Sequence, residues 1–273
     1  MIVVLAHSGV DHVAIGGLAA LTVAVYGLAW LRTPRPSWSR LAAWIAGVAL
    51  VVTASLPFVE GLAERTFAGH MVQHLIVIIL AAPLLVVARP VHTALLAGWL
   101  PTTRSGRRLG AWWHRAAPLI GPGLFVVVLF VTHLTSVYDD ALSNRWLHEA
   151  EHAAYLLSAC AMWTAVMGVG RVGAVARVGS VFGVIAGSAF LGVVLMAASE
   201  PLMPTYAARL GVADALDDQR SAAAIMWVTG MFTTLPLLVA AVWRWASTEQ
   251  RVAQRAEALA DAAAASASAA RRA

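Results

Sequence analysis

The sequence is poor in charge and contains no lysine. Charged residues make up 12% of the 273 positions against 60% hydrophobic ones, and mean hydropathy is +0.76, whereas a soluble domain carries roughly 25% charge. So few charges cannot cover a water-facing surface, which excludes a soluble enzyme. Cysteine is nearly missing too. Cys160 stands alone, so there is no intrachain disulfide, CxxC redox pair or thiolate metal site. The opening residues MIVVLAHSGVDH lack the basic start and the apolar run of a signal peptide, so no cleavage is expected. No nucleotide motif, nucleophile elbow or phosphate loop occurs, and no catalytic turnover is expected.

What the chain does have is long apolar runs. They lie at about Val13–Leu31, Leu41–Val59, Ala68–Ala88, Leu119–Val137, Trp146–Val169, Val178–Ala198 and Ala222–Trp245, each long enough to cross about 30 Å of hydrocarbon. Helix is the reading, because in lipid every backbone amide must be satisfied within its own segment or in a closed barrel, and the alternating pattern of a barrel is absent. The expected fold is therefore all-α, a polytopic membrane protein of seven transmembrane helices. Val91–Leu100 is too short to span; with Trp99, Trp112 and Trp113 nearby it is expected along the headgroup layer. Pro83 and Pro236 should kink the third and seventh spans or free a carbonyl.

Arginine placement tests the count. Fifteen of the 19 basic residues follow the first, third, fifth and seventh spans, and only Arg65, Arg145, Arg209 and Arg220 lie on the other side. The positive-inside rule then puts the N-terminus outside and the C-terminus in the cytoplasm. Eleven of the 14 acids take the outer side, all but Glu249, Glu257 and Asp261. The net charge of +5 thus reflects orientation, and no nucleic-acid partner is expected. The domain reading is a transmembrane unit over 1–246 and a polar, Ala/Arg-rich cytoplasmic tail over 247–273.

Polar groups at membrane depth are costly and point to function. Seven of the nine histidines fall on the outer side, and five of these form a pattern: His70 and His74 on the third span, His133 on the fourth, His148 and His152 on the fifth. An i,i+4 pair lies on one helix face, and the five are expected in one layer just beneath the outer surface. Neutral imidazole suits copper, zinc or haem iron. Asp139, Asp140, Glu149, Glu151, Glu200 and Asp218 could orient the ring NH groups. Met71, Met203 and Met226 at the same level would favour Cu(I) over zinc. The plainer alternative is a polar network without metal. His7 and His12 near the terminus, His92 and His114 on the cytoplasmic side, and Cys160, Met162, Met167 and Met196 in the spans are read as structural. His148-Glu149-Ala150-Glu151-His152 matches the H-E-x-x-H zincin pattern, but nothing else suggests a protease.

These residues also carry a likeness. His70-Met71-Val72-Gln73-His74 with Ala82-Pro83-Leu84-Leu85 and Arg89-Pro90, then His133 with Tyr138-Asp139 and Leu142, then Leu147-His148 with Glu151-His152, then Asp218-Gln219 and Met226-Trp227, occur in the order seen in the CtaG family of cytochrome c oxidase assembly factors. The chain resembles that family over about 40–245, with Ala223-Ala224 where a glycine is expected. The resemblance implies a bacterial cell-membrane protein that assists assembly of haem–copper oxidases and helps copper reach them on the outer face. Glu151 rather than Glu149 takes the family position. Metal ligands are then His70, His74, His133, His148 and His152, with Asp139, Glu151, Asp218 and Met226 as auxiliaries. The cofactor expected is copper, with haem or zinc as alternatives. Oxidase subunits and the lipid bilayer are the partners, with a homo-oligomer possible. Competing readings are a copper permease, which needs ligands continuing to the cytoplasmic face, a haem-binding electron-transfer protein and a metal-free scaffold.

Overall fold

The structure, a computed structural model, describes residues 2–168 and 172–270, excluding the side chains of residues 2–13, 114, 264 and 266–269. His7, His12 and His114 therefore lie outside the described side chains. Among the described residues every regular element is helical. In chain order these are α1 (Ile2–Leu31), α2 (Trp38–Ala54), α3 (Pro57–Arg65), α4 (Phe67–Leu75), α5 (Ala82–Ala88), α6 (Pro90–Leu96), α7 (Arg104–Leu134), α8 (Val137–Ala141), α9 (Arg145–Val166), α10 (Ala174–Ala197), α11 (Pro204–Leu210) and α12 (Val212–Ala270). A π-helical turn, Ile76–Ala81, joins α4 to α5.

Among the described residues, five helical stretches are long and apolar enough to cross a membrane: Ala14–Leu31, Phe67–Leu96, Arg115–Leu134, Ala174–Ala197 and Val212–Ala263. α2 and α3, bent by 49°, make a sixth when taken as one. The remaining expected span corresponds to α9. Its 22 residues cover about 33 Å, but His148, Glu149, Glu151 and His152 crowd its first two turns. Those polar residues keep it out of the apolar set. α9 packs against α7, α5 and α10, and its buried face runs Glu151, Tyr155, Ser158, Ala159, Met162 and Trp163.

The surface is inverted relative to a soluble protein. Leu119, Phe232 and Trp243 are 81%, 80% and 74% exposed, whereas His70, Gln73, His74, His133, Glu151 and Gln219 are buried. Apolar outside and polar inside is the arrangement of a multi-pass membrane protein.

Prolines mark where the expected spans break. Pro57 keeps the residue before it out of the helical region, and Leu56 accordingly sits at φ −73, ψ 145, so the second expected span divides there. Pro83 falls in the first turn of α5 but inside a continuous helical run, since Ala81 and Ala82 before it are helical, so its missing amide leaves the preceding turn one donor short. The π-turn just before it resets the register, and the indole of Trp163 donates to the Ile78 carbonyl in that turn at 2.7 Å. Carbonyls of a π-turn often need such outside donors. Arg89, at φ 52, ends α5 in the left-handed region before Pro90 starts α6. α12 carries the seventh expected span and continues beyond it. It runs for 59 residues through Pro236, and no break separates 246 from 247.

Two glycines set the helix spacing that matters for the polar interior. A Cβ on Gly69 would stand 2.3 Å from the Leu62 carbonyl oxygen, and one on Gly121 would stand 2.5 Å from that of Ala161. Only glycine lets α4 meet α3, and α7 meet α9, this closely.

Candidate metal centre

α4 is held at its N-terminus from across the molecule. Asp218 of α12 accepts from the amides of Phe67 at 2.6 Å and Ala68 at 3.2 Å, and Thr66 accepts from Gly69 at 3.0 Å. Three of the four amides left orphaned at a helix start are thereby satisfied, with a carboxylate at the positive end of the dipole. The next turn of this pinned helix carries His70 and His74.

α9 begins at Asn144, whose side chain accepts from Trp146 and Leu147, and presents His148 and His152 to α4. The two i,i+4 pairs meet in register. Ring centroids are 4.5 Å apart for His70–His74 and 4.3 Å for His148–His152. Across the helix gap they are 5.5 Å for His70–His148 and 5.1 Å for His74–His152. Pairing the first with the first and the second with the second requires α4 and α9 to run in the same direction, as the span count implied. Ligand atoms of His70, His74 and His152 lie within 4.8 Å of one another. His70 and His74 are buried, while His152 and His148 are partly exposed, so His148 stands toward the opening.

The hydrogen-bond partners determine where the ring protons sit. Burial pushes the Tyr206 phenol well above its ordinary value, so it keeps its proton and donates it to the Ala63 carbonyl at 2.6 Å. His70 Nδ1, 3.2 Å from the same oxygen, must then be the donor, which leaves the lone pair on Nε2. His133 Nδ1 lies 2.9 Å from the Leu129 carbonyl, an acceptor only, so its Nε2 likewise carries the lone pair. Neither Nε2 has a hydrogen-bond partner, nor do both nitrogens of His74, Nε2 of His152 and both oxygens of Glu151. Unpaired buried polar atoms are rare and each costs about 1–3 kcal/mol. A run of them in one place calls for partners that the described residues do not supply, ordered water or a ligand.

Glu151 sits beside this group, with Oε1 3.8 Å from His74 Nε2. Among the described residues it is the one fully buried acid. The other expected residues fall elsewhere. Asp139 accepts from the Thr205 amide at 2.9 Å and so secures α11, while Asp218 caps α4; both support the site through the backbone. The sequence placed them at the right depth, but free backbone amides at helix starts compete for carboxylates. His133 is also set back. Its ring lies 5.6 Å from Tyr138 and 6.5 Å from Tyr155, and those tyrosines lie 4.6 Å from His70 and 4.5 Å from His74. The ring contacts of the cluster come from two helices; His133, on the third, touches the tyrosines and shares with His74 the lining of an adjoining cavity. Met226 is buried beside a cavity that His74 and His133 also line.

Sequence reasoning missed Tyr155 and Tyr206. Tyr155 was findable, because it follows His148 and His152 at seven and three residues on the same helix face. Tyr206 comes from a short helix in a loop and gave no periodic signal.

The chain has relatives in mycobacteria. The uncharacterized protein Mb0105 of Mycobacterium bovis is 29% identical over 269 residues, covering 90% of this chain and 40% of the relative. The uncharacterized protein ML1998 of Mycobacterium leprae is 27% identical over 258 residues, covering 87% and 39%. The chain thus spans about 40% of the length of the curated relatives it matches. No solved structure matches it significantly. The family described as cytochrome c oxidase caa3 assembly factor (Caa3_CtaG) matches residues 24–248, most of the chain and all of the polar interior described above. The chain belongs to the caa3-type cytochrome c oxidase assembly factor family.

Proposed function

We propose that the protein carries copper as cargo for a haem–copper oxidase, receiving the ion at the outer face on His70, His74 and His152, with His148 at the entrance, and passing it to an oxidase subunit. The observation that carries this reading is the convergence of unpaired imidazole nitrogens within 4.8 Å. Metal–nitrogen bonds of about 2 Å place donors to one ion no more than about 4 Å apart, so a small ring rotation closes the set. Tyr206 supports the same reading by fixing the His70 proton on Nδ1. Glu151 supplies the negative charge that a buried cation needs.

Copper fits better than the alternatives. A haem needs a cavity of several hundred Å³, and the cavity beside the cluster measures about 50 Å³. Met71 and Met226 beside that cavity favour a softer ion than zinc. In this reading α9 is the fifth of seven spans, the arginine distribution sets the N-terminus outside and the C-terminal end of α12 in the cytoplasm, and the bilayer is the cell membrane. No reaction is catalysed.

The test is the copper content of the detergent-purified full chain after anaerobic Cu(I) loading, wild type beside His70→Ala/His152→Ala. The wild type should hold stoichiometric copper, and the variant should lose at least one equivalent and fail to support oxidase assembly in cells. Wild-type protein that takes up no stoichiometric copper would overturn the proposal.

A further inference from the structure

Beside the ring cluster lies a cavity of about 50 Å³, room for an ion or a few waters. Its lining includes Met71, His74, His133, Met162, Met226 and Met231. Four thioethers in one small space inside a helical bundle are ordinary as packing. His133 makes them something more. Its ring is 2% exposed, its Nδ1 is engaged by the Leu129 carbonyl, and its Nε2 is a buried lone pair without a partner. The cavity thus offers an imidazole acceptor and soft sulfur donors. His74, whose two nitrogens are both unpaired, belongs to the outer cluster and lines the cavity as well.

We propose that this cavity is a second metal site, distinct from the outer histidine cluster, in which His133 Nε2 and the thioethers of Met71 and Met226 take a soft monovalent cation such as Cu(I). The donor set selects the charge state. No carboxylate lines the cavity, and the cost of burying an ion rises with the square of its charge, so a divalent ion faces about four times the penalty of a monovalent one of the same size. Thioethers prefer Cu(I) over zinc or Cu(II). The outer cluster differs in having Glu151 against His74, which compensates a higher charge. The two sites are contiguous through His74, so an ion received outside has a softer, drier resting place one side chain further in. This goes beyond the assembly reading and rests on it only for the identity of the cargo.

The experiment titrates the detergent-purified full chain with Cu(I) against a competing chelator under anaerobic conditions, and reads copper K-edge X-ray absorption. Wild type should bind two equivalents with both nitrogen and sulfur scatterers. Met71→Leu/Met226→Leu, which conserves volume and so preserves packing, should drop to one equivalent with nitrogen scatterers alone. His70→Ala/His152→Ala should retain one equivalent with sulfur. Copper bound by the wild type with no sulfur scatterer, or a methionine variant indistinguishable from wild type, would overturn the inner site and leave the outer one standing. Absence of all copper from the wild type would overturn both.

Discussion

Asp218 is 150 positions from the helix whose start it holds, and replacing it tests whether the site geometry is set at a distance. Asp218→Ala removes two charge-assisted bonds to the Phe67 and Ala68 amides. Hydrogen bonds to charged groups contribute about 1.5–3 kcal/mol each. The 3.2 Å bond lies at the weak end, and partial exposure of the carboxylate discounts both, so the loss should be about 2 kcal/mol, in line with a strong N-cap. For a chain of this size that corresponds to a Tm lower by roughly 4–8 °C, measurable by intrinsic tryptophan fluorescence in detergent. Asp218→Asn keeps an acceptor and should lose about half as much. Asp217→Ala removes only an exposed pair with Arg220 and should leave Tm unchanged, since surface pairs contribute little. Because His70 and His74 follow the turn that Asp218 pins on the same helix, copper affinity should fall in the same order as Tm. A Tm for Asp218→Ala equal to that of Asp217→Ala would refute the reasoning.

Two further outcomes follow from the ring geometry. Glu151→Gln removes the carboxylate next to His74 that a bound cation would hold ionised. With a charge about 5 Å from the ion and an effective dielectric of ~20, roughly 3 kcal/mol per unit of metal charge is lost. Cu(II) should therefore suffer more than Cu(I), and the midpoint potential of bound copper should rise by on the order of 100 mV; an unchanged potential in a redox titration contradicts the placement of Glu151. Tyr206→Phe removes the acceptor that keeps the proton of His70 on Nδ1. Copper affinity should fall about 10-fold or more while far-ultraviolet circular dichroism stays unchanged, and equal affinity by chelator competition would mean that the tautomer is held by something else.

Much of the fold was legible because lipid allows so few solutions. A helix long enough to cross must be apolar, and prolines must fall at its edges or be accommodated, so the runs ending near Leu31, Ala88 and Ala198 stand close to where α1, α5 and α10 stop. The exceptions are physical. α9 carries its functional side chains in its first turns and loses apolarity there. α12 continues past Trp245 because an alanine-rich sequence is helical whether or not lipid surrounds it. The i,i+4 spacing of His70/His74 and His148/His152 was enough to put each pair on one face.

Composition and spacing alone determined that the chain is membranous, that its imidazoles gather near one face and that they come in helical pairs, since these depend only on local periodicity and the energy of transfer into hydrocarbon. Tertiary structure decided which rings meet. Gly69 and Gly121 allow the close helix contacts, Asp218 and Asp139 turn to backbone amides, Tyr206 reaches His70 from a distant loop, and His133 meets Tyr138 and Tyr155. Those outcomes depend on the relative rotation and depth of whole helices, fixed by packing among residues far apart in the chain, and no window of sequence contains them.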